Sequence, residues 1–277
     1  MNNLDNSPRT RRIVQVVSDL CRGSLDGKRI LDLGCAHGGY TIEFAKRGAN
    51  TVGIEGRAAW LEQANASKAK HGLSNAEFIQ GDAREISPAT HGLFDVILCL
   101  GLLYHLDFED AIRLLRSMAG MCTDFLILDT QIAVRPDTTR TLEGKTYSGW
   151  VYREHVDSAT AEQREANLGA SLQDNFSFWF SSRSLFNALR HTGYTSVMEC
   201  RIPLDNMYLN GEFKLHEDVI TLVAMKGKDV GDLLDVKPDH PGQEDWPESL
   251  EGLYLQRPWS KPPASTAQPK RRKFWSR

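Results

Sequence analysis

Apolar positions follow two alternating rhythms along the first half of the chain. Ile13, Val16, Val17 and Leu20 recur at helical spacing within residues 11–20, and Gly23 follows as a stop. The run from Arg29 to Leu33 is a short apolar strand entering a turn at Gly34. Tyr40 to Arg47 predicts a helix ending at Gly48, and Thr51 to Glu55 a second strand with an acidic end. Ala58 to His71 predicts a helix closed by Gly72. Ala76 to Gln80, Phe94 to Leu100 and Phe125 to Thr130 read as further strands, with a helix at Phe108 to Met118. Strands that are continuous apolar runs, separated by helices, predict an α/β fold: a doubly wound, mostly parallel sheet covered on both faces.

After Thr130 the rhythm breaks. Residues 131–183 read as an insertion, polar up to Asn175 with scattered aromatics at Tyr147, Trp150 and Tyr152, and are expected to form a lid or an extra helical layer. Along Asn175 to Phe180, period two puts Phe176, Phe178 and Phe180 on one side and Trp179 on the other. A helix is expected at Ser184 to His191, then strands at Ser196 to Ile202 and Val219 to Met225. The absence of a clear helix between those two strands suggests an antiparallel pair finishing the sheet. Residues 1–227 are expected to form one domain, and 228–277 an appendage, acidic and then Pro-rich and basic, partly disordered.

Composition narrows the class without naming an activity. The 277 residues, 41% hydrophobic and 25% charged, suit a soluble globular protein, and a formal charge of −3 gives no overall drive toward nucleic acid or anionic membrane. Cys21, Cys35, Cys99, Cys122 and Cys200 stand singly, with no C-x-x-C pair. That spacing argues against a disulfide framework or a structural zinc and fits a reducing cytoplasm. No apolar run is long enough to span a bilayer.

The sharpest feature is Ile30-Leu31-Asp32-Leu33-Gly34-Cys35-Ala36-His37-Gly38-Gly39, a buried strand delivered to a glycine-rich turn. In an open α/β sheet, ligands sit at such a crevice beyond the strand ends. Asp32 there can attract an ammonium group. Glu55 ends the next strand about twenty residues on, where a carboxylate can accept both hydroxyls of a ribose. Gly81-Asp82-Ala83 follows the third strand, and Leu100-Gly101-Leu102-Leu103-Tyr104-His105 follows the fourth. A nicotinamide or flavin site would want G-x-G-x-x-G, whereas the spacing here is G-x-x-x-G-G with His37 where a phosphate would lie.

These four stations, in this order, resemble the class I S-adenosylmethionine (SAM)-dependent methyltransferases over roughly Lys28 to Ile132, with the middle glycine of that family's turn replaced by Ala36. The resemblance implies a seven-stranded Rossmann-like sheet with an antiparallel final strand, and SAM as cofactor. Asp32, Gly34, Cys35, Ala36 and Gly38 would hold its methionine part and Glu55 its ribose. Gly56 and Arg57 would flank the ribose or the adenine, Asp82 and Ala83 would border the adenine, and Leu100 and Gly101 would lie beneath. No metal is required for the reaction. Tyr104 and His105 are the first catalytic candidates, His105 as a base; the alternative is that they brace the loop before Asp107 and fill the pocket floor. Asp129 could orient a substrate or cap a turn, and Tyr152 and Trp179 could wall an acceptor pocket or belong to the core. His155 is expected at the surface.

The leading expectation is methyl transfer to a small-molecule acceptor, at oxygen. The Leu103-Tyr104-His105 loop and the Phe178-Trp179 region also look like tRNA wobble-uridine methyl- and carboxymethyltransferase relatives, which makes RNA the second candidate partner. Those relatives carry an additional N-terminal region and a basic surface, whereas this chain begins almost at its SAM domain. A third expectation is a SAM-binding protein without chemistry.

Overall fold

The computed structural model describes residues 8–201, 218–231 and 235–236. In chain order the elements are α1 (Pro8–Leu20), β1 (Arg29–Leu33), α2 (Gly39–Lys46), β2 (Asn50–Glu55), α3 (Ala58–His71), β3 (Ala76–Gln80), α4 (Pro88–His91), β4 (Phe94–Leu100), α5 (Phe108–Met121) and β5 (Cys122–Gln131). There follow β6 (Thr138–Leu142), β7 (Lys145–Arg153), α6 (Ala161–Ala166), β8 (Phe176–Phe180), α7 (Ser182–His191), β9 (Ser196–Glu199) and β10 (Val219–Met225). Single 3₁₀ turns lie at Ala83–Glu85 and Leu103–His105.

The main sheet has seven strands in the order β3-β2-β1-β4-β5-β10-β9. The first five run parallel, while β10 pairs antiparallel with both β5 and β9. This bears out the expected sheet and its antiparallel end. Strand order reverses direction between β1 and β4, which opens a crevice beyond their carboxyl ends.

Alternation along the strands divides the core. Ile97 and Cys99 of β4 face α5 and α7, whose apolar stripes supply Leu114, Leu115, Met118, Leu185 and Leu189. Val96, Leu98 and Leu100 face the opposite layer, built on Ile13 and Val17 of α1 and Phe44 of α2. Burying each such side chain contributes about 1.5–3 kcal/mol, so α1 is fastened to the sheet by its apolar stripe. Asp107 starts α5 by accepting from the Asp110 amide at 2.8 Å, and Ser181 caps α7 in the same way.

The insertion is mainly a sheet, not a helical layer: β6, β7 and β8 form an antiparallel three-stranded sheet, and α6 is one short helix. The reason is Phe176 to Phe180, whose two faces both find apolar cover. Phe178 and Phe180 pack with Phe108 and Tyr147, while Trp179 turns to Trp150 and Tyr152. The β8 backbone is tied to the fourth-strand loop by Phe178 N donating to Leu106 O at 2.8 Å. Most of 228–277 lies outside the described residues, as does 202–217. Among the described residues no helix is long and apolar enough to cross a membrane.

Candidate active site

Strand register brings the predicted stations together. Leu33 sits opposite Ile54 on one side and Cys99 on the other, so β1, β2 and β4 end level. One residue further, Glu55 pairs with Gln80 and Leu100 pairs with Asp129. Gly34, Glu55, Gly81-Asp82, Gly101 and Asp129 therefore share one rim of the sheet, although they span nearly a hundred residues of sequence.

The turn after β1 is built for close approach. Gly34 has φ +65° and Gly38 φ +79°, and a Cβ on Gly38 would stand 2.5 Å from the Phe78 ring. Ala36 also takes a left-handed conformation, φ +48°, which costs an L-residue roughly 1–2 kcal/mol. Glu55 holds this turn: its Oε2 accepts from Ala36 N and its Oε1 from Arg57 N, each at 2.9 Å. A carboxylate oxygen has two lone pairs, so each Glu55 oxygen retains one for a further donor. That donor set fits a vicinal diol such as a ribose, and the residues present therefore fit SAM.

Asp32 is buried, and its Oδ2 accepts from Thr41 Oγ1 at 2.7 Å and Thr41 N at 3.2 Å. Burial pushes its carboxyl up to about 7; the Thr41 bonds pull it down, Glu55 nearby pushes it further up, and Arg9 lowers it. Cys35 is buried against this pair, and burial pushes its thiol far up, so it is a packing group and not a nucleophile.

At the other end of the rim, Asp82 starts the 3₁₀ turn by accepting from Arg84 N. Its carboxylate also receives the Arg84 guanidinium at 2.6 Å. Burial raises the Asp82 carboxyl, but the Arg84 hydrogen bonds outweigh it and hold the group below its usual range. Arg84 reaches Asp110 at 3.0 Å and Asp174 at 3.7 Å as well. Ala83 follows Asp82 on the same turn.

Gly56 and Arg57 meet the insertion. A Cβ on Gly56 would stand 2.9 Å from Leu172 Cδ2. The buried Arg57 guanidinium donates to the carbonyls of Glu165, Arg164, Asn167 and Ala170 at 3.0–3.4 Å. Gln173 donates to Asp82. Residues 164–174 thus rest on the rim beside Gly56 and Asp82.

The acceptor candidates also converge. Tyr104 and His105 form the turn after β4, with ring centroids 4.0 Å apart, and Tyr104 meets the edge of Trp179 at 5.9 Å. Trp179 stacks on Tyr152 at 4.8 Å and 21°, and its buried Nε1 has no hydrogen-bond partner among the described residues.

Sequence reasoning missed three residues here. Arg9 of α1 reaches the rim and pairs with Asp129 at 2.7 Å, beside Gly101. Asp129 accepts Thr221 Oγ1 on its second oxygen at 2.6 Å. Glu154, buried completely, binds His105 Nδ1 at 3.0 Å. No local signal marks these contacts, since they join elements 49 to 120 residues apart. His155 is a correction: it is buried, and its Nε2 contacts Ser171 O at 2.6 Å, because the loop after β7 turns inward to meet residues 171–175.

Residues 30–124 match a family model described as a methyltransferase domain. The ubiquinone biosynthesis O-methyltransferase of Pseudomonas aeruginosa is 36% identical over 84 residues, 30% of this chain and 36% of that one. The 23S rRNA (uracil(1939)-C(5))-methyltransferase RlmD of the same species is 38% identical over 77 residues, 28% of this chain and 17% of that one. This chain therefore spans well under half of those curated relatives. Among solved structures, the N-terminal domain of EvdMO1 with SAH bound superposes with a TM-score of 0.62 and 26% identity, covering 81% of this chain and 83% of that one. The rim geometry and the seven-strand order agree with the match of residues 30–124 to a methyltransferase domain.

Proposed function

We propose that the protein binds SAM along the rim and transfers its methyl group to the oxygen of a small-molecule acceptor. The observation that carries the cofactor half is Glu55, fixed by two backbone amides at 2.9 Å with acceptor capacity left over. Gly34, Cys35, Ala36 and Gly38 would cradle the methionine part, with Asp32 attracting its ammonium group. Gly56, Arg57, Asp82 and Ala83 would border the adenosine, and Leu100 and Gly101 would lie beneath it. When bound, SAM supplies an electrophilic methyl on a sulfonium, so the protein's work is positioning.

For the acceptor, the support is a half-buried aromatic wall beside a histidine. Tyr104, Tyr152 and Trp179 offer flat faces, and the unpaired Trp179 Nε1–H would be satisfied by an acceptor oxygen. His105 would take the proton from a hydroxyl. Asp129 holds Arg9 on one oxygen and Thr221 on the other, which makes it a brace for the rim with one Oδ2 lone pair left for a substrate donor. The likeness to an O-methyltransferase of ubiquinone biosynthesis fits this reading. The likeness to RlmD supports RNA as a second acceptor class. Against it, Asp82, Asp110 and Asp174 surround Arg84 at the adenosine end, so that edge is no basic groove.

The test is calorimetric titration with SAM and with S-adenosylhomocysteine, for the wild type and for Asp32→Ala and Glu55→Ala. Saturable binding that both substitutions weaken supports the cofactor reading and warrants an acceptor screen, small hydroxylated metabolites first and tRNA second. A folded protein that binds neither ligand overturns it. Binding without turnover on any acceptor leaves a SAM-binding protein without chemistry.

A further inference from the structure

We propose that Glu154 is a positioning residue for His105, holding the proton on Nδ1 and so keeping Nε2 as the basic nitrogen. The inference rests on His105 being the base, and adds what makes it one.

The geometry is specific. Glu154 lies just past β7 with no exposed side-chain surface, and its Oε1 meets His105 Nδ1 at 3.0 Å. The same Oε1 accepts from Ser177 Oγ at 2.9 Å, and Oε2 accepts from Ser171 N at 3.0 Å. A main-chain N–H and a hydroxyl thus both donate to this carboxylate, which is the surrounding of an ionised group. An ionised carboxylate only accepts, so the proton between the two side chains belongs to His105 Nδ1. Burial raises the Glu154 carboxyl, but these bonds and the His105 ring outweigh it and hold it below its ordinary range.

Three separate elements build the contact. His105 comes from the turn after β4, Glu154 from the end of β7 and Ser177 from β8, where Ser177 stands opposite Tyr152. Period two along β8 puts Ser177 on the same face as Trp179, the aromatic wall of the acceptor region. The insertion therefore delivers the orienting carboxylate and the acceptor wall together, while the parent sheet delivers the base.

In the transfer, an acceptor hydroxyl would lose its proton to His105 Nε2 as its oxygen forms the new bond to the methyl carbon. The old carbon–sulfur bond would break with its electron pair left on sulfur, giving a neutral thioether. The resulting imidazolium keeps its Nδ1 proton, and Glu154 balances its charge across 3.0 Å.

The experiment is histidine ¹⁵N NMR of the ligand-free protein through a pH titration, for the wild type, Glu154→Gln and Ser177→Ala, with His105→Asn to assign the signal. The expected wild-type signature at high pH is a protonated Nδ1 and an unprotonated Nε2. Glu154→Gln should raise the Nε2-protonated fraction severalfold, since a side-chain amide can donate to Nδ1 as well as accept from it. Ser177→Ala should change that fraction less and keep the Nδ1-protonated tautomer dominant. A wild-type ring protonated on Nε2, or a tautomer ratio unmoved by Glu154→Gln, overturns the proposal. If Glu154→Gln does not fold, the wild-type tautomer alone decides. The underlying reading of His105 fails separately, if His105→Asn methylates the screened acceptor as fast as the wild type.

Discussion

Arg9 in the first helix donates through Nε and Nη2 to a single oxygen of Asp129, at 3.0 and 2.7 Å, across 120 residues of sequence. Asp129 is nearly buried, and Thr221 takes its other oxygen at 2.6 Å. The pair ties α1 over the carboxyl ends of β4 and β5, where the site lies.

Arg9→Met leaves Asp129 buried with only the Thr221 hydroxyl. Losing one partner of a buried pair costs on the order of 3 kcal/mol. Urea unfolding should show that loss, and Asp129→Asn in the Arg9→Met background should recover part of it. Equal stability of wild type and Arg9→Met would show that the pair does not fasten α1.

Asp32 makes cofactor binding depend on pH. Its carboxyl is pushed up to about 7 when folded, above its ordinary value of 3.8. A raised carboxyl favours the folded state most below the unfolded pKa, and that contribution declines as pH rises from about 4 through about 7. An ammonium ligand prefers the ionised form, so SAM affinity should rise with pH, approaching tenfold per unit below 7. Calorimetry from pH 5.5 to 7 should show this slope for the wild type and a flat profile for Asp32→Asn. A slope that survives in Asp32→Asn assigns it to another group.

Two substitutions in the turn after β1 should differ sharply in effect. Gly38→Ala puts a Cβ 2.5 Å from the Phe78 ring at a φ of +79°, so it should lower the melting temperature and abolish SAM binding. Ala36→Gly relieves a left-handed alanine, which offsets the extra freedom glycine gives the unfolded chain. Its stability should stay within about 1 kcal/mol of the wild type, with binding intact. Thermal unfolding and titration of both variants decide this.

Arg57 fastens the insertion to the rim through four carbonyls between residues 164 and 170. Arg57→Ala should speed amide hydrogen exchange across residues 161–174 and leave β4 and β5 protected. The dissociation rate of SAM should rise with it. Unchanged exchange in that segment would mean that Leu172 and Gln173 alone keep it seated.

The sequence by itself determined the α/β rhythm and the cofactor rim. Apolar period, glycine stops and an acidic strand end are short-range properties, and parallel register does the rest by ending β1, β2 and β4 level. Cys35, Gly38 and Glu55 could therefore be placed from residues near them in the chain. Only the tertiary structure decided who meets whom across the rim. Arg9 lies outside the helix read over residues 11–20, whereas α1 starts at Pro8 and packs Arg9 against the sheet beside Asp129. Glu154 and His155 read as a polar pair in a polar insertion. They turn inward because Phe178 and Phe180 bury one face of β8, which carries Ser177 and Trp179 on the other face to His105. A side chain's role in such a contact depends on which distant element the core brings beside it, and no local spacing encodes that.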